Sequence, residues 1–172
     1  DDLERVLEEI RREIERIRRE LEESNEENKD IVRRIEEELK ELLKDNKRIV
    51  ETVTKANLDR DDVRRVLEES KRKNRRVLER LERLIRESER RNKELLDRAR
   101  EKIDRLRKRL EEANLDREVL ERLEKELDRL RKDIERVADE NRKINDTLRK
   151  RIEEVMARLD EINTDLKDRV ET

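Results

Sequence analysis

The chain has 172 residues, of which 59% are charged and 30% hydrophobic, and it contains no glycine, proline, cysteine, histidine or aromatic residue. Its 50 basic and 52 acidic residues are interleaved and leave a net charge of −2, so no basic patch is available to bind the phosphates of a nucleic acid. No apolar run approaches the roughly 20 residues of a membrane-spanning helix. We therefore expect a soluble chain that contacts neither nucleic acid nor membrane, and no targeting signal indicates where it resides.

Apolar residues recur at steps of three and four along three segments, as in amphipathic helices. Helices are predicted at residues 2–56, 59–113 and 116–170, each about 55 residues long, or about 80 Å at the helical rise. In the second helix the apolar stripe is expected to include Val77, Leu84 and Leu95. The mean step exceeds 3.5 residues, which predicts untwisted or weakly supercoiled helices.

The string Ala-Asn-Leu-Asp-Arg occurs twice, at residues 56–60 and 113–117, and predicts the two turns. In each copy we expect the asparagine to end one helix in the left-handed conformation, the leucine to make an apolar contact, and the aspartate to cap the next helix. These residues are Asn57, Leu58 and Asp59 in the first turn and Asn114, Leu115 and Asp116 in the second. Turns this short place consecutive helices side by side, so the sequence predicts an all-α, up-down-up antiparallel three-helix bundle forming a single domain over residues 1–172.

Polar residues on the apolar stripe recur 18 residues apart, as Asn28 and Asn46 do. This 18-residue interval is five turns of a helix with about 3.6 residues per turn, so both members of each pair lie on the same face. The pairs are Asn28 and Asn46, Ser70 and Ser88, Asn74 and Asn92, and Asn145 and Asn163.

The repeated polar residues are predicted to meet inside the bundle in two layers. Asn28 and Ser88 lie almost equally far from the first turn, and Ser88 and Asn145 lie within about one helical turn of equal distance from the second. Buried amides and hydroxyls that hydrogen-bond to one another add little stability. They do destabilise any alternative helix pairing that leaves one of these groups without a hydrogen-bond partner. The first layer is expected to contain Asn28, Ser88, Asn92 and Asn145, and the second Asn46, Ser70, Asn74 and Asn163.

The sequence indicates no site for chemistry. A carboxylate di-iron site needs histidines, and a phosphate-binding loop needs glycines, and the chain has neither. Ser70 and Ser88 would need a base within hydrogen-bond reach to act as nucleophiles, whereas the neighbouring Lys71 and Glu89 should diverge from them on a helix. We therefore predict no catalytic residues, no metal site and no cofactor.

The 18-residue unit, the copied turns and the Asn/Ser layers resemble those of de novo designed, parametrically generated straight three-helix bundles. This resemblance implies a highly stable monomeric scaffold with no biological role and no partner, although self-association remains open. The alternative is a natural coiled-coil spacer or protein–protein interaction module. Such a module would assemble through apolar residues left over from the stripe, which are Leu43, Val66, Leu78, Ile85 and Leu96.

Overall fold

The computed structural model describes residues 2–171, which form three α-helices. They are α1 (Asp2–Ala56), α2 (Arg60–Glu112) and α3 (Arg117–Glu171). No strand occurs within residues 2–171, so the predicted all-α three-helix bundle is confirmed. None of the helices in this range has a segment both long and apolar enough to cross a membrane.

The chain divides into two compact units, and each helix contributes a segment to both. The first unit combines the chain up to Lys29 with Ser88–Lys143. The second unit combines Asp30–Glu87 with the chain from Ile144 onwards. The two units are described separately below.

In the first unit, ion pairs show that α1 and α2 run antiparallel. Arg109 contacts Glu9 at 2.6 Å, and Lys102 contacts Glu20 at 3.3 Å. The later residue of α1 therefore pairs with the earlier residue of α2, as in antiparallel helices.

The pairs between α2 and α3 in the first unit behave in the same way. Arg100 contacts Glu135 at 2.9 Å, and Arg131 contacts Asp104 at 3.1 Å. The first unit therefore has the up-down-up order that the short turns predict.

In the second unit, Arg80 of α2 contacts Glu38 of α1 at 3.1 Å, and the Ser70 hydroxyl donates to Asn46 at 2.9 Å. The numbers again run in opposite directions, as expected for antiparallel helices. Arg151 of α3 contacts Glu36 of α1 at 3.4 Å, so all three helices are linked in this unit as well.

Aliphatic side chains from all three helices fill the interior of each unit. The first unit has one continuous cluster, in which Ile17, Ile103 and Leu127 are fully buried. The second unit has two clusters, one around Leu81 and one around Val63. Because isoleucine, leucine and valine carry no polar atoms in their side chains, these clusters need no internal hydrogen bonds.

The interior repeats with the same 18-residue period as the polar residues. Each buried residue of α2 from Val63 to Asn92 has a buried counterpart one period later, up to Leu110. The same holds for α3 between Leu123 and Leu166. Since one period is five helical turns, α2 and α3 each keep one face buried along these segments without changing their winding.

At three positions of α2 the core contains the residue that follows the predicted one. Val77, Leu84 and Leu95 are only half-buried and lie at the margin of the aliphatic clusters. The core residues proper are the next ones in the sequence, Leu78, Ile85 and Leu96. Both members of each adjacent pair are apolar, so spacing alone does not decide which one points to the interior.

The first turn has the conformation expected for its sequence. Asn57 has φ of 49°, in the left-handed region, and follows the last residue of α1. The Asp59 side chain accepts a hydrogen bond from the Asp62 N–H at 2.9 Å, which is the geometry of an N-cap. Leu58 is 36% exposed.

The second turn differs from the first although its five residues are identical. Asn57 is the sole described residue with positive φ, so the prediction of a left-handed Asn114 is wrong. Here α2 ends at Glu112, and the Leu115 N–H donates to the Ala113 carbonyl at 2.9 Å. Leu115 packs against the aliphatic cluster of the first unit, which gives this copy a tertiary contact that directs the chain differently. The Asp116 carbonyl accepts the first backbone hydrogen bond of α3, from Leu120.

The unequal turns predict unequal responses to glycine. Glycine at either position raises the entropy of the unfolded chain, which destabilises the fold. At position 57 glycine also removes the steric cost of a left-handed residue, and this gain offsets the loss. At position 114 there is no such gain. We expect Asn57→Gly to be more stable than Asn114→Gly by about 1 kcal/mol in denaturant unfolding. Equal stability of the two variants would contradict the difference in backbone conformation.

Candidate functional site

Within residues 2–171, buried asparagine and serine side chains interrupt the aliphatic interior of each unit. In the first unit we define the first polar cluster as five buried residues from all three helices. On each helix its members continue the buried face, after Leu21 on α1, before Leu96 on α2 and after Val137 on α3. They are Ser24, Asn28, Ser88, Asn92 and Asn141.

Asn28 is the centre of the first polar cluster. Its Oδ1 accepts hydrogen bonds from the Ser88 hydroxyl at 3.3 Å and from Asn92 Nδ2 at 3.0 Å. Its Nδ2 donates to Asn141 Oδ1 at 2.6 Å, so this one side chain joins α1 to both α2 and α3.

Ser24 extends the network by donating its hydroxyl to Asn92 Oδ1 at 3.0 Å. The hydrogen bonds therefore form a continuous chain from Ser24 through Asn92 and Asn28 to Asn141. At its end, Asn141 Nδ2 is buried and has no hydrogen-bond partner.

The membership of this cluster differs from the predicted layer. Asn145 is buried, as are the other predicted layer residues, but Asn28 bonds to Asn141, one helical turn earlier on α3. Asn141 and Asn145 lie one helical turn apart on the same face of α3, and both are buried. Asn145 therefore does not take the role assigned to it in the first layer.

We define the second polar cluster, in the second unit, as Asn46, Ser70 and Asn74. The carboxamides of Asn46 and Asn74 face each other, and each Nδ2 donates to the other Oδ1 at 2.9 Å. Asn46 Oδ1 also accepts from the Ser70 hydroxyl at 2.9 Å, and its Nδ2 donates to the Leu42 carbonyl at 2.8 Å. This cluster connects α1 to α2.

Asn163 is the α3 residue that the sequence predicts for the second layer, and it is 5% exposed. None of the hydrogen bonds between described residues involves its side chain. It lines a groove together with Asn74, which places it near the second polar cluster without joining its network.

The polar clusters do not contain an activated nucleophile. The Ser70 and Ser88 hydroxyls donate to amide oxygens of Asn46 and Asn28, which do not accept protons at ordinary pH. No group of three histidine, cysteine, aspartate or glutamate side chains suited to a metal ion occurs within residues 2–171. The arrangement pairs amide and hydroxyl donors with amide oxygens of neighbouring helices, and therefore supplies directional contacts between helices.

Ion pairs within and between helices surround the interior and shift the pKa values of Glu9, Arg100 and Arg151. The hydrogen bond from Arg109, with its positive charge, lowers the pKa of the exposed Glu9 carboxyl below its usual value of 4.5. Any stability from this pair is present above the unfolded pKa and is lost as the pH falls through the lowered one. The hydrogen bond to Glu135 raises the pKa of Arg100, so that guanidinium stays charged.

No protein-family model and no curated protein matches the sequence. Among solved structures, the chain is similar to one described as a "Computationally designed three helix bundle". The two share 20% sequence identity over 98% of this chain and 83% of that chain, with a TM-score of 0.37.

Sequence reasoning missed Ser24 and Asn141. The signal was a second spacing of four residues, which pairs Ser24 with Asn28 on α1 and Ser88 with Asn92 on α2. Asn141 and Asn145 form the corresponding pair on α3. Residues four apart share a helix face, so the pattern indicates that each helix presents two polar groups at this level.

Proposed function

We propose that the chain is a computationally designed structural scaffold without enzymatic activity, in which buried polar clusters specify how the helices pair. The repeated 18-residue unit and the two identical turn sequences support this proposal, because they indicate a sequence assembled from copied modules. The absence of glycine and proline over 172 residues is also unlike an average protein, in which they make up about 12% together.

The first polar cluster is the observation on which the proposal depends. An aliphatic interior is tolerant of rotation and sliding, because one leucine contact resembles another. Rotating α1 would move Asn28 away from Ser88, Asn92 and Asn141, and would leave buried donors and acceptors without partners. Each such group costs about 1–3 kcal/mol, so the cluster favours one arrangement of the three helices.

The interaction-module alternative is weakened by the position of the apolar residues assigned to it. Leu78, Ile85 and Leu96 are buried within the bundle itself. Leu43 and Val66 are half-buried at the margin of the aliphatic clusters. These residues therefore leave little apolar surface for assembly with a partner.

Sedimentation equilibrium and thermal unfolding test the scaffold proposal. We expect the mass of one chain, 21.3 kDa, and a helical circular dichroism signal that persists above about 90 °C, the range of hyperstable proteins. A mass that is a multiple of 21.3 kDa would favour the assembling module instead. Unfolding at about 45–65 °C, the range of ordinary domains, would contradict a hyperstable scaffold.

A further inference from the structure

A groove of about 520 Å³ lies between α2 and α3 in the second unit. Its apolar lining consists of the buried Leu78 and Leu159 and the exposed Met156. Its amide lining consists of Asn74 and Asn163. This volume lies within the range of about 300–1,000 Å³ that is typical of small-molecule sites. Charged side chains complete the lining.

The side chains around the groove carry nearly balanced charge, so they favour a neutral ligand over an ion. Two are basic and three are acidic, and together they give no strong field of either sign. They are Lys71 and Arg75, and Glu79, Glu82 and Asp160.

Asn163 supplies the polar recognition. An asparagine side chain has two N–H donors and an oxygen with two lone pairs, and no described residue uses those of Asn163. Asn74, on the opposite wall, is already engaged by the reciprocal amide pair with Asn46. That pair shows the geometry that a ligand carboxamide would adopt against Asn163.

The 18-residue repeat shows how the α3 side of the second unit differs from that of the first. The residue of α3 that corresponds to Leu159 is Asn141, which accepts the hydrogen bond from Asn28 in the first unit. Leu159 has no such group, and Asn46 Nδ2 donates to Leu42 and Asn74 instead. The hydrogen-bond network of the second unit therefore closes between α1 and α2, and Asn163, like its counterpart Asn145, lies outside the network.

We propose that the groove binds neutral aromatic carboxamides, an activity that is independent of the scaffold function. The ligand amide forms the reciprocal pair with Asn163, and its ring packs against Leu78, Leu159 and Met156. A thioether beside an aromatic ring makes a favourable contact, so the single methionine is suited to this position.

Methyl NMR of the whole chain tests this proposal with three probes of similar size. Met156 is the sole methionine, so ¹³C-methyl methionine labelling gives one signal from the groove. Benzamide donates and accepts, acetophenone only accepts, and benzoate is charged. We expect benzamide to shift the signal and to bind about fivefold more tightly than acetophenone, the effect of one additional hydrogen bond, with benzoate weakest.

Variants at equivalent positions of α3 show whether the amide is responsible. Asn163→Leu should bind benzamide and acetophenone equally, and Asn163→Ala serves the same purpose if the leucine variant does not fold. Asn145→Leu is the matched control, because it makes the same change one repeat earlier and outside the groove. It should retain the preference for benzamide. An unshifted methyl signal with saturating benzamide, or an unchanged preference in the Asn163 variants, would overturn the proposal.

Discussion

Replacement of Asn28 with leucine should destabilise the protein by about 3–5 kcal/mol, a large effect for one substitution. Asn28 accepts from Ser88 and Asn92 and donates to Asn141, so its removal leaves three buried groups with a lost partner. A buried polar group without a partner costs about 1–3 kcal/mol. Guanidinium unfolding followed by circular dichroism measures the change, since the chain has no aromatic residue for fluorescence.

The matched control replaces the whole first polar cluster with aliphatic residues. With no buried polar group left unpaired, this variant should be as stable as the parent or more so, although its methyl NMR signals should be broader because several packings become similar in energy. It has five substitutions, at Ser24, Asn28, Ser88, Asn92 and Asn141. If the fivefold variant were as unstable as Asn28→Leu, or if Asn28→Leu cost less than about 1 kcal/mol, the cluster would not act through its hydrogen bonds.

Truncation of Leu127 to alanine should cost about 2–5 kcal/mol, because it leaves a cavity in a packed aliphatic interior. Leu127 is fully buried in the cluster of the first unit, beside residues from all three helices. Thermal and denaturant unfolding report the loss.

Leu3→Ala provides the comparison, since it removes the same atoms from a side chain that is 42% exposed near the start of α1. Its stability should stay within about 0.5 kcal/mol of the parent. Similar losses at both positions would mean that Leu127 is not in a close-packed core.

The helices and their order follow from the sequence because they depend on local and repetitive signals. The apolar spacing defines three amphipathic segments, and the predicted ends at residues 56, 113 and 170 lie within one residue of the observed ends. Antiparallel packing then follows from the shortness of the turns. The burial of Asn28, Asn46 and the other repeated polar residues also agrees with their place on the apolar stripe.

The hydrogen-bond partners do not follow from the sequence, because they depend on axial offsets of about one helical turn. A shift of four residues on α3 exchanges Asn145 for Asn141 as the partner of Asn28. Both residues are buried asparagines on the same face, so the composition of that face cannot distinguish them.

The two turns show directly that identical local sequence does not determine conformation. Asn57 is left-handed and Asn114 is not, although both stand between alanine and leucine. The difference accompanies the environment of the leucine, since Leu115 packs on an aliphatic cluster while Leu58 is partly exposed. Tertiary packing therefore selects between two conformations that the pentapeptide permits.

The exposed position of Met156 has a chemical consequence for the durability of the molecule. Peroxide and related oxidants attack thiols, thioethers, imidazoles and aromatic rings, and this thioether is the one such group in the chain. Met156 is 44% exposed, whereas the interior is made of isoleucine, leucine, valine and alanine with a few asparagines and serines. Conversion of the sulfur to a sulfoxide therefore adds polarity at the surface and leaves the packed interior chemically untouched.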